Sequence, residues 1–416
     1  MEKKVPEIRF KGFDGEWDCK PLSKYLVVCE ETNIFDTYDK YDIYSVSREY
    51  GVINQIEYQG KSFAGASLVN YRVIHNGNVV YTKSPLKAQP YGIIKTNKSD
   101  SGIVSALYGV FESNEDAEPV FIQTYFELDA RLNEYLRPLV NKGAKNTLLI
   151  SDEDALSGNV SFPKKDEQQQ MVKLFSTIDR LIRSLELKLE KLKNIKQSLL
   201  NQMFTNGNRG GYEPLIRFKN YNGKWEMATL GEISSKVIEK NSSMQFNKVF
   251  TNSAEYGIID QKDYFDRSIA NTDSLRSYYI VDIDSYVYNP RISTSAPVGP
   301  INRNKTNTIG VISPLYYVFN VDKTQVDYSF LDYFFKGTGW HEFMYRNGNS
   351  GARSDRFSIG TDDFCKMPIV HPSDTDEEIN IGQMFNNIDT QIARLRSKID
   401  HTRNIKQSLL QKMFVN

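Results

Sequence analysis

Three stretches of the sequence alternate arginine and asparagine with small polar residues, a pattern that suits contacts with nucleic-acid bases and phosphates. They lie at residues 289–295, 302–305 and 345–356. Arginine and asparagine can form paired hydrogen bonds with guanine and adenine edges, and serine and threonine reach phosphates. The candidate contact residues are Arg291, Ser293, Thr294, Arg303, Lys305, Arg346, Asn349, Arg353 and Arg356.

The first half of the chain offers similar residues at matched places. The candidates there are Lys83, Lys87, Tyr91, Lys142, Lys145 and Asn146. Ordinary polar surface loops would use the same residue types, but recurrence in both halves favours binding. The scaffold positions of the two halves repeat, whereas these loops differ in sequence. This is expected of two DNA-binding domains that share a fold and recognise different target sequences.

Motifs for catalysis, nucleotide binding and metal binding are missing from the sequence. Because no GxxxxGK[ST] phosphate loop occurs, we expect no ATP site. The segment 289–291 partly resembles the Asn-Pro-Pro-aromatic loop of DNA amino-methyltransferases, but a turn at a strand end explains it better. We also expect no metal site, because HExxH spacing is absent from the histidines, which are His75, His341, His371 and His401.

Composition predicts a cytoplasmic protein without a membrane segment. No apolar run of the 416 residues approaches the roughly 20 residues of a membrane span. The three cysteines, Cys19, Cys29 and Cys365, are widely spaced and are expected to be core thiols in a reducing compartment. The 52 basic and 52 acidic residues balance, which weakens a DNA hypothesis unless positive charge is concentrated locally or supplied by a partner.

The elements that must position the candidate residues occur twice. The opening PEIRFK, followed by a glycine and a tryptophan, returns 208 residues later as PLIRFK with the same two residues. GIVSALYGVF returns as GVISPLYYVF, Gly-Ala-Lys returns as Gly-Ala-Arg, and NIKQSLL occurs twice unchanged. A unit this long exceeds any solenoid period, so the chain contains a duplicated domain.

Each half combines a strand-rich portion with a helical tail. Segments rich in β-branched and aromatic residues predict strands at 41–46, 78–81 and 102–111, and at 248–250, 285–288 and 311–319. Short helices are predicted at 126–136 and 330–335.

The two tails carry apolar residues at heptad spacing over about 35 residues, roughly 50 Å of helix. Such long stripes most economically bury each other, and the chain order then makes the pair antiparallel with one domain near each end. Asp166 is expected to cap the first helix, and 375–378 to form a capping box for the second. The predicted seam residues are Ile178, Leu185, Leu192, Ile195 and Leu199 in the first helix and Ile388, Leu395, Ile405 and Leu409 in the second.

These patterns predict an α+β fold. Two homologous α/β domains are joined by two long helices that form an antiparallel coiled coil with pseudo-two-fold symmetry. The predicted boundaries are 1–165 for the first domain, 166–206 for the first helix, 207–213 for a linker, 214–373 for the second domain and 374–416 for the second helix.

The order of domain, heptad helix, domain and heptad helix resembles the specificity subunit of type I restriction-modification systems. The resemblance covers essentially the whole chain, and its most specific parts are the duplicated opening and the twin NIKQSLL segments. One departure is that 375–380 lacks the Glu-Gln pair that the first helix has at Glu167 and Gln168.

The resemblance implies that the two domains are target-recognition domains, each reading one half of a bipartite sequence in double-stranded DNA. The helices would set the spacer and dock two modification subunits, which methylate adenine with S-adenosylmethionine. Two restriction subunits, which use ATP and Mg²⁺, would complete the complex. This chain itself would have no active site and no cofactor.

Two other readings of the residues stay open. One is an enzyme, namely a DNA methyltransferase or nuclease whose motif has diverged. The other is a coiled-coil adaptor with no nucleic-acid role, for which the zero net charge is the best support.

Overall fold

The computed structural model describes residues 5–62, 65, 67–86, 89–143, 148–205, 212–264, 272–349 and 355–415. The chain divides into two compact units. The first unit contains Met1–Glu186 and Ser397–Asn416, and the second contains Leu187–Arg396. Each unit therefore holds one strand-rich domain together with a part of each long helix.

Short strands build both domains. In the first unit they are β1 (Asp18–Pro21), β2 (Leu26–Val28), β3 (Tyr44–Ser47), β4 (Gly51–Asn54), β5 (Arg72–Ile74), β6 (Val79–Thr82), β7 (Ile94–Thr96), β8 (Gly102–Val104), β9 (Tyr108–Ser113), β10 (Asn141–Lys142), β11 (Leu148–Leu149) and β12 (Asn159–Phe162). In the second unit they are β13 (Trp225–Thr229), β14 (Ser234–Lys236), β15 (Phe250–Ser253), β16 (Gly257–Asp260), β17 (Tyr279–Val281), β18 (Tyr286–Tyr288), β19 (Ile301–Arg303), β20 (Gly310–Ile312), β21 (Tyr317–Val321) and β22 (Pro368–Pro372).

Two helices are much longer than the others. The helices are α1 (Gln55–Gln59), α2 (Pro119–Tyr125), α3 (Asp129–Leu136), α4 (Asp152–Ala155), α5 (Lys165–Met203), α6 (Leu230–Ile233), α7 (Gln261–Tyr264), α8 (Tyr328–Lys336), α9 (His341–Asn347), α10 (Thr361–Cys365) and α11 (Thr375–Lys412). The predicted α+β class, with two similar domains and two long helices, is confirmed.

A four-stranded antiparallel sheet is the centre of each domain. Its strand order is β2-β9-β6-β7 in the first unit and β14-β21-β18-β19 in the second. The central strands β6 and β18 are buried along their whole length, which explains their uninterrupted runs of valine and tyrosine. Because matching strands occupy matching places, the two units are copies of one topology.

The predicted strands at 102–111 and 311–319 are each two strands, so that part of the prediction was wrong. The backbone reverses at Ser105, whose carbonyl accepts from Tyr108 N at 3.0 Å, and at Ser313, whose carbonyl accepts from Tyr316 N at 3.1 Å. In both turns the serine hydroxyl also accepts a backbone N–H two residues later. Each turn therefore forms at a serine. A glycine, asparagine or aspartate at that position would have indicated the turn more clearly in the sequence.

Other boundaries moved by a few residues. The strand predicted at 41–46 begins at Tyr44, and the one predicted at 248–250 begins at Phe250. The helix predicted at 126–136 is α3, which begins at Asp129, because Phe126 is the C-cap residue of α2.

In the first unit, the beginning of α5 and the end of α11 lie side by side in opposite directions. Arg403 pairs with Glu186, and Lys406 Nζ lies 2.6 Å from Asp179 Oδ1. Because residue numbers increase along α11 while those of the paired residues decrease along α5, the two helices are antiparallel. Of the predicted seam residues, Leu185 is buried, and Ile178 and Leu409 are half-buried.

In the second unit, the end of α5 and the beginning of α11 pack in the same antiparallel manner. Lys196 Nζ lies 2.5 Å from Asp389 Oδ1, and the rings of Phe204 and Phe385 are 5.8 Å apart. Among the predicted seam residues of this unit, Ile388 is buried, and Leu192, Leu199 and Leu395 are half-buried.

Ile195 and Ile405 were predicted in the seam, but each is 42% exposed. The following lysine of each NIKQSLL segment, Lys196 or Lys406, faces an aspartate of the other long helix instead. Since neighbouring helical residues point about 100° apart, the isoleucine is turned away from the seam. A strict heptad count had placed it on the wrong face.

Both predicted helix caps differ from the structure. Helix α5 begins at Lys165, which places Asp166 inside the first turn. Helix α11 is capped by Asp374, whose carboxylate accepts from Asp376 N at 2.9 Å. No capping box forms there, because Glu378 accepts instead from Asp327 N and contacts His371 Nδ1.

The cysteine prediction was wrong for Cys19, which is exposed on strand β1, whereas Cys29 and Cys365 are half-buried. No helix in the described part of the chain is both long enough and apolar enough to cross a membrane.

Candidate nucleic-acid interface

Two of the three arginine-rich stretches meet in the second unit. Ile292 N donates to Asp355 O at 3.0 Å, and Phe357 N donates to Pro290 O at 2.8 Å. Arg291 and Arg356 therefore form an isolated β-bridge, which places both arginines on one surface. Two arginines 65 positions apart in sequence thus contribute to a single candidate site.

A tight turn presents the polar residues of the first stretch. The backbones of Ser293 and Ala296 exchange two hydrogen bonds, and Ser293 Oγ also accepts from Ala296 N at 3.2 Å. Thr294 lies at the exposed tip of this turn. Arg291 is 63% exposed, and its nearest carboxylate, on Asp355, is 3.8 Å away. An exposed ion pair at that distance contributes little to stability. The Arg291 guanidinium can therefore leave Asp355 and bind the edge of a base instead.

The stretch at 345–356 adds an aromatic ring and a further arginine. Tyr345 is exposed and its ring makes an edge contact with Phe357 at 6.1 Å. Arg346 is exposed on α9 and pairs with Glu342 one turn earlier. Asn349 pairs with Ser358 through two backbone hydrogen bonds of 2.9 and 2.7 Å. The surface can therefore offer stacking, base-edge contacts and phosphate contacts together.

The stretch at 302–305 forms ion pairs within the domain. Arg303 Nη2 lies 2.7 Å from Asp332 Oδ2, Lys305 Nζ lies 2.6 Å from the same oxygen, and Arg303 also pairs with Asp284. Burial alone would lower the pKa of Arg303, but hydrogen bonding to Asp332 raises that pKa overall. These ion pairs attach β19 to α8. A DNA contact by Arg303 or Lys305 stays a prediction, and the pairs give both residues a structural role.

In the first unit, Lys83 is also part of an internal ion-pair network. Its Nζ lies 2.8 Å from Asp152 Oδ1, and the other oxygen of that buried carboxylate accepts from Arg72 at 2.8 Å. Tyr91 is half-buried, and its carbonyl accepts the Tyr81 hydroxyl at 2.7 Å. DNA contacts by Lys83 and Tyr91 stay predictions.

The remaining candidates lie at or beyond the edge of the described residues. Lys142 belongs to β10, where it pairs with Leu148 of β11, but its side chain is not among those described. In the second unit an isolated antiparallel bridge joins Asn349 and Ser358. The candidates that fall outside the described residues are Lys87, Lys145, Asn146 and Arg353.

Sequence reasoning missed a matched ion pair that fixes the opening segment of each unit. Arg9 donates from Nε and Nη2 to the two carboxylate oxygens of Glu167, at 2.8 and 2.7 Å. Arg217 binds Glu377 in the same way, with both distances at 2.7 Å. Each arginine also donates to the carbonyl of the following repeated glycine at 2.6 Å. The repeated arginine was the available signal.

The departure at 375–380 is also explained. Glu377 takes the position of Glu167, so the acidic partner of the arginine is present in both helices. Gln168 accepts from Glu118 N at 2.9 Å, and Glu378 accepts from Asp327 N at 2.7 Å. The two helix starts therefore make equivalent contacts with a glutamine in one unit and a glutamate in the other.

A second matched set links the two long helices inside each unit. Lys406 contacts Asp179 and Glu127 in the first unit, and Lys196 contacts Asp389 in the second. The two lysines occupy the same place in the twin NIKQSLL segments. These ion pairs set the register of the two long helices against each other within each unit. Among the described residues, no group of three or more His, Cys, Asp or Glu side chains could hold a metal ion.

Comparison with known proteins finds similarity only in structure. No known protein family and no curated protein matches the sequence. The type I restriction-modification S subunit from M. genitalium superimposes with a TM-score of 0.57 at 11% identity, covering 99% of each chain. A chain from a study of complex assembly and conformational transition of the type I R-M system superimposes with a TM-score of 0.53 at 16% identity, covering 96% of this chain and 97% of that one. At these identities the similarity shows a shared fold.

Proposed function

We propose that this chain is the noncatalytic, DNA-specificity subunit of a type I restriction-modification complex. Each unit reads one half of a bipartite target in double-stranded DNA. The long helices set the spacer between the half-sites and dock two modification subunits, which methylate adenine with S-adenosylmethionine. Two restriction subunits, which use ATP and Mg²⁺, complete the assembly.

The observation that supports this proposal most strongly is a repeated scaffold with different exposed loops. Both units share the strand order of the central sheet. Both also share the ion pair between an arginine of the opening segment and a glutamate of a long helix, Arg9 with Glu167 and Arg217 with Glu377, which we call the arginine clamp. The polar loops mounted on the two scaffolds differ, with Arg291 and Arg356 in the second unit and no arginine at the matching place in the first. A shared frame with different reading residues suits one protein that recognises two different DNA sequences.

The balanced net charge fits a reader that works inside a larger complex. Phosphate neutralisation drives most nonspecific DNA binding, and this chain brings equal numbers of acidic and basic residues. On this proposal the partner subunits supply the missing positive charge. The isolated chain should then bind DNA weakly, and the assembled complex should bind it tightly and with sequence specificity.

The proposal is tested by comparing the chain alone with the chain plus modification subunit in a gel-shift and methylation assay. We expect sequence-specific methylation of adenine only in the assembled complex. Methyl transfer by the isolated chain would support the divergent-enzyme alternative. The adaptor alternative, favoured by the zero net charge, predicts that the assembled complex shows no dependence on DNA sequence.

A further inference from the structure

A hairpin followed by a short helix is a closely repeated and partly exposed segment of the two domains. The first copy, SREYGVINQIEY, spans residues 47–58, and the second copy, SAEYGIIDQKDY, spans 253–264. Each copy begins at the last residue of one strand, β3 or β15, and continues through the hairpin loop into the second strand, β4 or β16, and the helix that follows it, α1 or α7.

Several of the repeated residues are explained by the fold. Ser47 and Ser253 each accept two backbone N–H groups through the side-chain oxygen and so close the hairpin loop. Gly51 and Gly257 have φ angles of 77° and 72°, which few other residues adopt readily. Replacing any of these residues would disturb the hairpin itself.

Among the other repeated residues, one glutamate and two tyrosines are exposed in both copies. Tyr50 is 54% and Tyr58 52% exposed, and their ring centroids are 5.0 Å apart. Tyr256 is 62% and Tyr264 46% exposed, with centroids 6.4 Å apart. The glutamate that precedes the first tyrosine is exposed in both copies. We call each such group of one glutamate and two tyrosines a tyrosine patch.

The chemistry of the tyrosine patch suits a cation. Aromatic faces attract ammonium and guanidinium groups, and a neighbouring carboxylate adds a direct ionic partner. In the second unit, the neighbouring carboxylate of Glu255 raises the pKa of the Tyr256 hydroxyl. The carboxylate and the ring therefore lie close enough to act on one bound group.

The charge of the patch disfavours DNA as the occupant. Residues 253–264 contain three acidic side chains and one basic side chain, and the repeated glutamate carries the same sign as a phosphate. In the first unit, the one arginine of the hairpin, Arg48, already pairs with Asp129. A protein surface with a basic side chain is the complementary partner. Two matched patches further indicate a partner that is present in two copies.

We propose that the tyrosine patch of each unit binds an arginine or lysine side chain of a modification subunit, one subunit for each unit. The naming of that partner rests on the function proposed above. The retained glutamate and tyrosines then mark a contact that is independent of DNA sequence, which explains why they are kept while the reading loops differ.

The test measures binding of the purified modification subunit to the full-length chain by titration calorimetry. One variant combines Tyr50→Ala with Tyr256→Ala, and another combines Glu49→Gln with Glu255→Gln. The control is Tyr41→Ala, because Tyr41 is also exposed but has no tyrosine at the matching place of the second unit. Circular dichroism spectra and melting curves check that each variant is folded.

We expect affinity to fall roughly two- to fivefold for each altered unit in both patch variants, and to stay unchanged in the control. Unchanged affinity in both patch variants would overturn the inference. It would also be overturned if subunit binding stayed intact while DNA binding fell, since DNA would then be the occupant. If the wild-type chain itself bound no modification subunit, the proposed function would fail as well, so the two failures are distinguishable.

Discussion

Replacing Glu167 with glutamine should destabilise the start of α5 and leave the matching helix of the second unit much less affected. The carboxylate of Glu167 is almost completely buried, and Arg9, which it binds through both oxygens, is only 14% exposed. Removing one partner of a buried ion pair typically costs about 3–5 kcal/mol, because the other charge stays behind unpaired. Glutamine keeps one acceptor oxygen for Arg9, so we expect a loss of ~3 kcal/mol, at the lower end of that range.

Hydrogen exchange followed by mass spectrometry can measure this loss separately in each unit. A loss of ~3 kcal/mol should speed exchange at the start of α5 about 150-fold, since ~1.4 kcal/mol corresponds to a factor of ten. Glu377→Gln should produce the mirror effect at the start of α11, and Glu190→Gln, at an exposed position of α5, should change neither. A loss below about 1 kcal/mol in both clamp variants would refute the assignment of Arg9 and Arg217 as the residues that fix these helix starts.

Three further predictions concern reading, spacing and pH. Arg291→Ala should reduce discrimination at one half-site by about 1–3 kcal/mol, which would appear as methylation of altered target sequences. We expect the same of Arg353→Ala, which was selected from the sequence. If the methylation pattern of a variant is unchanged, its residue does not contact the DNA bases. Inserting about four residues near Leu189 should lengthen the spacer that the complex accepts, whereas a fixed spacer would exclude a measuring role for the helix. Burial alone would raise the pKa of Asp389, but the hydrogen bond from Lys196 lowers it, so Asp389 stabilises the fold above its unfolded pKa and loses that effect in acid. The stability difference between wild type and Asp389→Asn should therefore shrink below about pH 4 in urea titrations, and a difference that grew in acid would contradict the assignment.

The architecture could be predicted because the sequence contains a long repeat and apolar residues at helical spacing. A 208-residue repeat indicates a duplicated domain without reference to any single contact. The long helices were likewise clear from their apolar spacing. What periodicity could not resolve was the face of a single residue, because a helix turns 3.6 residues per turn and a heptad count assumes 3.5. Ile195 and Ile405 fell on the wrong side for this reason.

The candidate site was harder to predict because ion pairs join residues that are far apart in sequence. The partners Arg9 and Glu167 are separated by 158 residues, and nothing local marks them as a pair. Arg303 looked like a reading residue, yet Asp332, which lies on a separate helix, engages it inside the domain. By contrast, the bridge between Arg291 and Arg356 brings together two stretches that the sequence had already selected.

Mapping methylated adenines across the genome of cells that carry this chain and its modification subunit tests the central claim most directly. The claim is that each unit reads one part of a bipartite target. We expect every modified site to contain two short sequences separated by a spacer of constant length, and Arg291→Ala to alter only one of the two. A single contiguous sequence, or a map that is unchanged when this chain is removed, would contradict the account.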